Sequence, residues 1–123
     1  MKLTGKAKIE FEKWLIDSHD TSHNKNVLNG KIGQSFSECF YKLTESMQYG
    51  VLIDFFDSVG IIIDTQPFMD YDEHVYTNII NWSAIVIVLN KEPKEGNYIH
   101  DIKTRQEART EAIKKANEIY NLS

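Results

Sequence analysis

Thr104-Arg105-Gln106-Glu107-Ala108-Arg109-Thr110-Glu111-Ala112-Ile113-Lys114-Lys115-Ala116 is the best-defined stretch of this chain. Its first four residues read as a capping box. The Thr104 hydroxyl is placed to accept from the Glu107 N–H, and the Glu107 carboxylate to return to the Thr104 N–H. Ala108, Ala112, Ala116 and Ile119 then recur at helical spacing, with Ile113 and Tyr120 widening the stripe. Alanines on a buried face let a helix lie close against a sheet. The stretch therefore predicts a helix over 104–121 and demands strands for it to cover.

Those strands are read just upstream. Tyr98–Ile102 is a short strand behind a charged turn, Lys91-Glu92-Pro93-Lys94-Glu95-Gly96. Trp82–Leu89 is the strongest strand of the chain. Its unbroken apolar run from Ala84 predicts a central position covered on both faces. Ile61-Ile62-Ile63 is β-branched throughout and is followed by Pro67, which predicts a strand at 60–66. Phe68 to Asn78, polar and aromatic, reads as a loop between these strands.

Two helices precede the sheet. Over residues 4–16, Ala7, Phe11, Trp14 and Leu15 form one stripe, with Thr4 as N-cap. Residues 17–33 form a long polar connection punctuated by Asn29-Gly30 and Gly33. Phe36, Phe40 and Leu43 favour a short helix over 34–43, although the Phe36/Glu38/Phe40 alternation also fits a strand. Thr44 caps a further helix in which Met47, Val51, Phe55 and Val59 recur every four residues, with Leu52 and Phe56 beside them. Gln48, Asp54 and Asp57 fall on its polar side, and Gly60 stands at the C′ position. The expected fold is a single α+β domain over 1–123. Its order is α-α-β-β-β-α, a three-stranded antiparallel meander with helices packed on it.

The chain of 123 residues is the size of one domain, and a 41% hydrophobic content supports a core without staples. No apolar run approaches the ~20 residues that span a bilayer. Met1-Lys2-Leu3-Thr4-Gly5-Lys6 leads into a polar helix with no signal-peptide core, so a cytoplasmic protein is expected. Cys39 is the only cysteine, which excludes an intrachain disulfide and a cysteine-based zinc cluster. No base is marked for it as a nucleophile, and it reads as a small buried residue between Phe36 and Phe40. Charge is unevenly spread. Residues 34–80 hold eight acids against Lys42 alone, whereas both flanking regions are slightly basic. Such a middle disfavours a phosphate backbone and suits a basic protein surface or a cation.

Two stretches carry a resemblance. One runs Ser46-Met47-Gln48-Tyr49-Gly50-Val51-Leu52-Ile53-Asp54-Phe55-Phe56-Asp57-Ser58-Val59-Gly60. The other runs from Lys103-Thr104-Arg105-Gln106-Glu107-Ala108-Arg109 through Ala112-Ile113 to Ala116-Asn117-Glu118-Ile119-Tyr120-Asn121. Together, about a third of the chain, they resemble small uncharacterised proteins of Bacteroidetes bacteria and their phages, a group with no assigned activity. The resemblance implies an accessory protein of a mobile element, of the kind that often acts by binding a host protein.

Four constellations offer chemistry. Asp17, His19, Asp20 and His23 carry zinc-type donors, but without the glutamate of an H-E-x-x-H base and within loop-forming neighbours. Asp54, Asp57 and Asp64 would hold a divalent cation if folding gathered them. Lys103, Arg105, Arg109, Lys114 and Lys115 suggest nucleic acid, but Glu107, Glu111 and Glu118 interleave, and Glu111 to Lys115 reads as a surface ion pair. Phe68, Asp70, Tyr71, Asp72, Glu73 and Tyr76, with Met69 and His74 among them, mix acids and aromatics and form the best candidate contact surface. The expectation is a non-catalytic protein that binds a host protein through this acidic aromatic segment, with no cofactor, no metal, no membrane and no nucleic acid. The alternatives are a small metal-dependent hydrolase using the central acids, or a nucleic-acid or nucleotide binder using the basic last helix.

Overall fold

A computed structural model describes residues 1–18 and 38–123. The elements are α1 (Gly5–Ser18), α2 (Glu45–Ser58), β1 (Ile61–Asp72), β2 (Val75–Val88), β3 (Tyr98–Ile102) and α3 (Arg105–Asn121). Residues 38–41 add one helical turn before α2. The order is α-α-β-β-β-α, and the three strands form an antiparallel meander, β1-β2-β3. Among the described residues, no helix is long and apolar enough to cross a membrane.

The last helix follows its sequence closely. Thr104 Oγ1 accepts from the Glu107 N–H at 3.1 Å. Ala108, Ala112 and Ala116 are fully buried, and Ile113 nearly so. With no side chain beyond Cβ at three contact points, α3 lies against all three strands. Lys115 pairs with Glu118 at 3.7 Å rather than with Glu111.

The sheet departs from expectation in two ways. First, β2 is central but covered on one face only. Trp82, Ala84 and Val86 are buried, while Ile87, which points the other way, is 43% exposed. Among the described residues, α2 and α3 pack on the side of Trp82, Ala84 and Val86, so the apolar run alternates between core and open face. Second, the segment read as a loop is strand. β1 runs on through Pro67 to Asp72, and β2 begins at Val75. Pro67 is tolerated because β1 is an edge strand, where a missing N–H breaks no ladder bond on the outer side.

Helix α2 is rotated from its expected stripe. Gln48, Tyr49, Leu52, Phe55 and Phe56 are buried, whereas Met47 and Val59 are exposed. Gln48 is held inside by its amide. Nε2 donates to the carbonyls of Phe40, Tyr41 and Leu43 at 3.2–3.3 Å, and Oε1 accepts from the Met1 ammonium at 3.2 Å. Thr44 caps the helix, accepting from the Met47 N–H at 3.4 Å, and Gly60 ends it at φ 82°.

In α1, Ala7, Phe11 and Leu15 are buried as expected. Phe11 packs edge-on against Phe40 and Phe55, with ring centres 4.8 Å and 5.4 Å away. Its start is capped from outside. The Ala7 N–H donates to Asn121 Oδ1 at 2.8 Å and the Thr4 N–H to Asn117 Oδ1 at 2.9 Å. The Thr4 hydroxyl accepts from both asparagine amides instead of capping its own helix. Gly5 has φ 56°, and a Cβ there would stand 3.3 Å from the Asn121 side chain. Cys39 is exposed, contrary to the buried position expected of it, because the side chain that enters the core from this turn is Phe40.

Candidate functional site

The six residues singled out in the sequence gather on the far half of the β1–β2 hairpin. Every residue from Asp70 to Ile80 is exposed, so this half is an arm that carries no core on either face. Phe68 pairs with Asn81 at its base, Met69 with Ile79, Tyr71 with Tyr76 and Asp72 with Val75. Register shifts flank Met69, which adds twist to the arm.

The turn is made by Glu73 and His74, both left-handed, with φ of 44° and 72°. Two consecutive positive φ values match the right-handed twist of hairpin strands. At the tip, the Tyr71 and Tyr76 rings meet at 5.3 Å and 60°, and the Tyr71 and His74 rings at 6.4 Å and 84°. The two tyrosines brace one another across the strands and remain 60% and 66% exposed. Phe68 is 60% exposed at the base. Asp70, Asp72 and Glu73 surround them, and no Lys or Arg occurs between Lys42 and Lys91.

Val75, Ile79 and Ile80 lie on the same arm at 60%, 53% and 50% exposure, and are not among the six residues singled out in the sequence. Their signal was the β-branched and aromatic run Val75-Tyr76-Thr77-Asn78-Ile79-Ile80, which has strand composition.

The other constellations are dispersed. His19, Asp20 and His23 lie outside the described residues. Asp54 and Asp57 are exposed on α2, while Asp64 lies on the open sheet face and accepts from Gln66 Nε2 at 3.1 Å. Among the described residues, no three His, Cys, Asp or Glu side chains come together as metal ligands. The arginines of α3 are turned onto the protein's own rings. Arg105 lies 4.7 Å from the Trp82 ring centre and Arg109 5.0 Å from that of Tyr49. Burial pushes the Tyr49 hydroxyl above its ordinary pKa, outweighing the opposing hydrogen bond with Thr65 and the Arg109 charge. An open groove of about 650 Å³ runs between β3 and α3, lined by side chains of both charges, including Asp101, Lys103 and Glu107. Comparison with protein-family models, with curated proteins and with solved structures returns no match.

Proposed function

We propose that this chain is a cytoplasmic, non-catalytic binding protein that presents the tip of its hairpin arm to a basic surface on a host protein, in a phage or mobile-element setting. The observation that carries the reading is the composition of the arm. Phe68, Tyr71, Val75, Tyr76, Ile79 and Ile80 are each at least half exposed, in a segment whose only charges are acidic. Tyr71 and Tyr76 meet on one face of the arm while Val75, next along the strand, points to the opposite face, so the apolar side chains are shared between two faces, each smaller than the ~800 Å² that one side of a standard interface buries. Exposed apolar clusters rimmed by polar residues mark interaction sites. The paired tyrosines are rigid anchors, with little rotamer freedom left to lose on contact. The acids supply long-range attraction, which acts on encounter.

The test begins with affinity capture from host lysate using the native chain and a Tyr71→Ala/Tyr76→Ala double variant. Any species held by the first and released by the second is then measured by surface-immobilised kinetics. Association should slow as salt shortens the Debye length from ~10 Å at 0.1 M to ~3 Å at 1 M. Neutralising Asp70, Asp72 and Glu73 should lower the on-rate, and Tyr71→Ala should mainly raise the off-rate. Capture that is insensitive to the arm and lost with Arg105→Ala and Arg109→Ala would transfer the site to α3 and sink the proposal.

A further inference from the structure

A guanidinium drawn out of water costs energy unless a carboxylate or another anion meets it. Arg109 is half-buried and has no such partner. Its Nε is the one buried side-chain nitrogen or oxygen among the described residues without a hydrogen-bond partner. Its Nη1 donates to Ser46 Oγ, a neutral group, at 3.1 Å. One turn earlier, the exposed Arg105 guanidinium makes no hydrogen bond among the described residues. Neither arginine meets a carboxylate there, and the ion pair of α3 is that of Lys115 with Glu118.

Both guanidiniums are held in place by rings. Arg105 lies 4.7 Å from the Trp82 ring centre and Arg109 5.0 Å from that of Tyr49. Stacking on an aromatic face fixes the guanidinium plane and leaves its N–H edge for an acceptor. The two charges reach one spot, since both draw the Tyr49 hydroxyl down against the larger effect of burial. The neighbouring acids are turned away or engaged. Glu107 and Glu111 line the groove beside β3, Glu45 accepts from Gln106 Nε2, and Asp64 accepts from Gln66 Nε2.

We propose that Arg105 and Arg109 form an anion site at the corner between the first turns of α2 and α3, and that its ligand is the phosphate group of a small molecule. A phosphate group carries a charge of about −1.5 to −2 at pH 7 and several strong acceptor oxygens. Two guanidiniums and the Ser46 hydroxyl match that count, and the planar fork of arginine suits those oxygens. A carboxylate, with one charge, would leave one guanidinium unmet. A nucleic-acid strand needs a run of cations, whereas this chain has a net charge of −4 and interleaves acids with the bases of α3. The site uses no residue of the hairpin arm, so it stands or falls apart from the host-binding reading.

Titration of the native chain with inorganic phosphate and with adenosine monophosphate tests the site. It is followed through the Arg109 Nε–H and Trp82 indole N–H resonances, with sodium chloride at matched ionic strength as the control. Phosphate should shift both signals saturably, as one site, and raise the unfolding midpoint. Arg105→Gln should weaken binding about tenfold or more, the factor that follows from losing a hydrogen bond between charged groups. Arg105 is exposed, so this variant should keep the native far-UV spectrum. Arg109→Lys repeats the test with the charge kept and the fork removed, and should also weaken binding. Lys114→Gln, on the exposed side of the same helix, should leave binding unchanged. Equal affinities for the two ligands support recognition of the phosphate group alone, and tighter binding of adenosine monophosphate supports an organic phosphate as the source. A response no larger than that to sodium chloride overturns the proposal. So does binding that Arg105→Gln leaves intact, or that Lys114→Gln weakens equally.

Discussion

The Arg109 guanidinium lies 5.0 Å from the centre of the Tyr49 ring and donates through Nη1 to Ser46 Oγ at 3.1 Å. One side chain of α3 thus grips two residues of α2, and the planar fork is what allows stacking and donation together. Arg109→Lys keeps the charge and loses this geometry. It should cost about 0.5–1.5 kcal/mol in urea unfolding. An unchanged midpoint would show the contact to be incidental.

Asn121 should behave as an N-cap for a helix it does not belong to. Asn121→Ala removes the acceptor of the Ala7 N–H and the donor to the Thr4 carbonyl, and should cost about 1–2 kcal/mol. Asn121→Asp keeps the acceptor and should recover part of that loss. Amide exchange at Ala7 reads the cap site by site.

Gln48→Leu conserves much of the buried volume but leaves the carbonyls of Phe40, Tyr41 and Leu43 without their shared donor. The expected loss is about 1–3 kcal/mol, measured by chemical denaturation. Gln48→Glu should be worse, because it sets a carboxylate against the same carbonyls.

Tyr41 makes the fold sensitive to alkali. Burial, then the Glu12 carboxylate and the hydrogen bond it accepts, push the Tyr41 hydroxyl up to about 12 from an ordinary 10.0. The neutral phenol is favoured in the folded state. Its stabilising contribution is therefore complete below the unfolded value and is lost as pH rises from about 10 to about 12. Ultraviolet titration should lose one late-ionising tyrosine in Tyr41→Phe, while Tyr49, also raised by burial, stays late.

His74 holds a left-handed conformation that glycine adopts without strain. His74→Gly should stabilise the hairpin turn by about 0.5–1 kcal/mol and slow amide exchange along the arm. Faster exchange there would mean that the His74 ring against Tyr71 contributes more than the backbone strain costs.

The parts of the fold legible in sequence are those fixed by short-range rules. Thr104 and Glu107 announce a helix start, the alanine stripe announces its packing face, and Gly60 announces a helix end. The arm was hidden because its turn lacks the usual punctuation. Glu73 and His74 supply the two positive φ values that asparagine and glycine normally mark, and Pro67 reads as a stop unless β1 is already known to be an edge. The open sheet face was equally out of reach. Ile85 and Ile87 continue the apolar run of β2, and only the placement of α2 and α3 on one side shows that the run is covered once. Gln48 looked solvated because a helical wheel carries no information about carbonyls awaiting a donor. The residues of the candidate site were singled out by their chemistry, whereas their common position on a hairpin arm was not legible.

The capping of α1 by Asn117 and Asn121 has a consequence for the order of assembly. The contacting residues stand 113 and 114 positions apart in the chain. At 5–20 residues per second, a ribosome needs roughly 6–23 s to pass from one to the other. During that interval the first helix has neither its cap nor the last helix it packs beside. A segment rich in early-made apolar surface must then wait, and its release from waiting coincides with the arrival of two asparagines. The capping of α1 therefore waits on α3, and a chain halted before Asn117 should be the form that chaperones and proteases recognise.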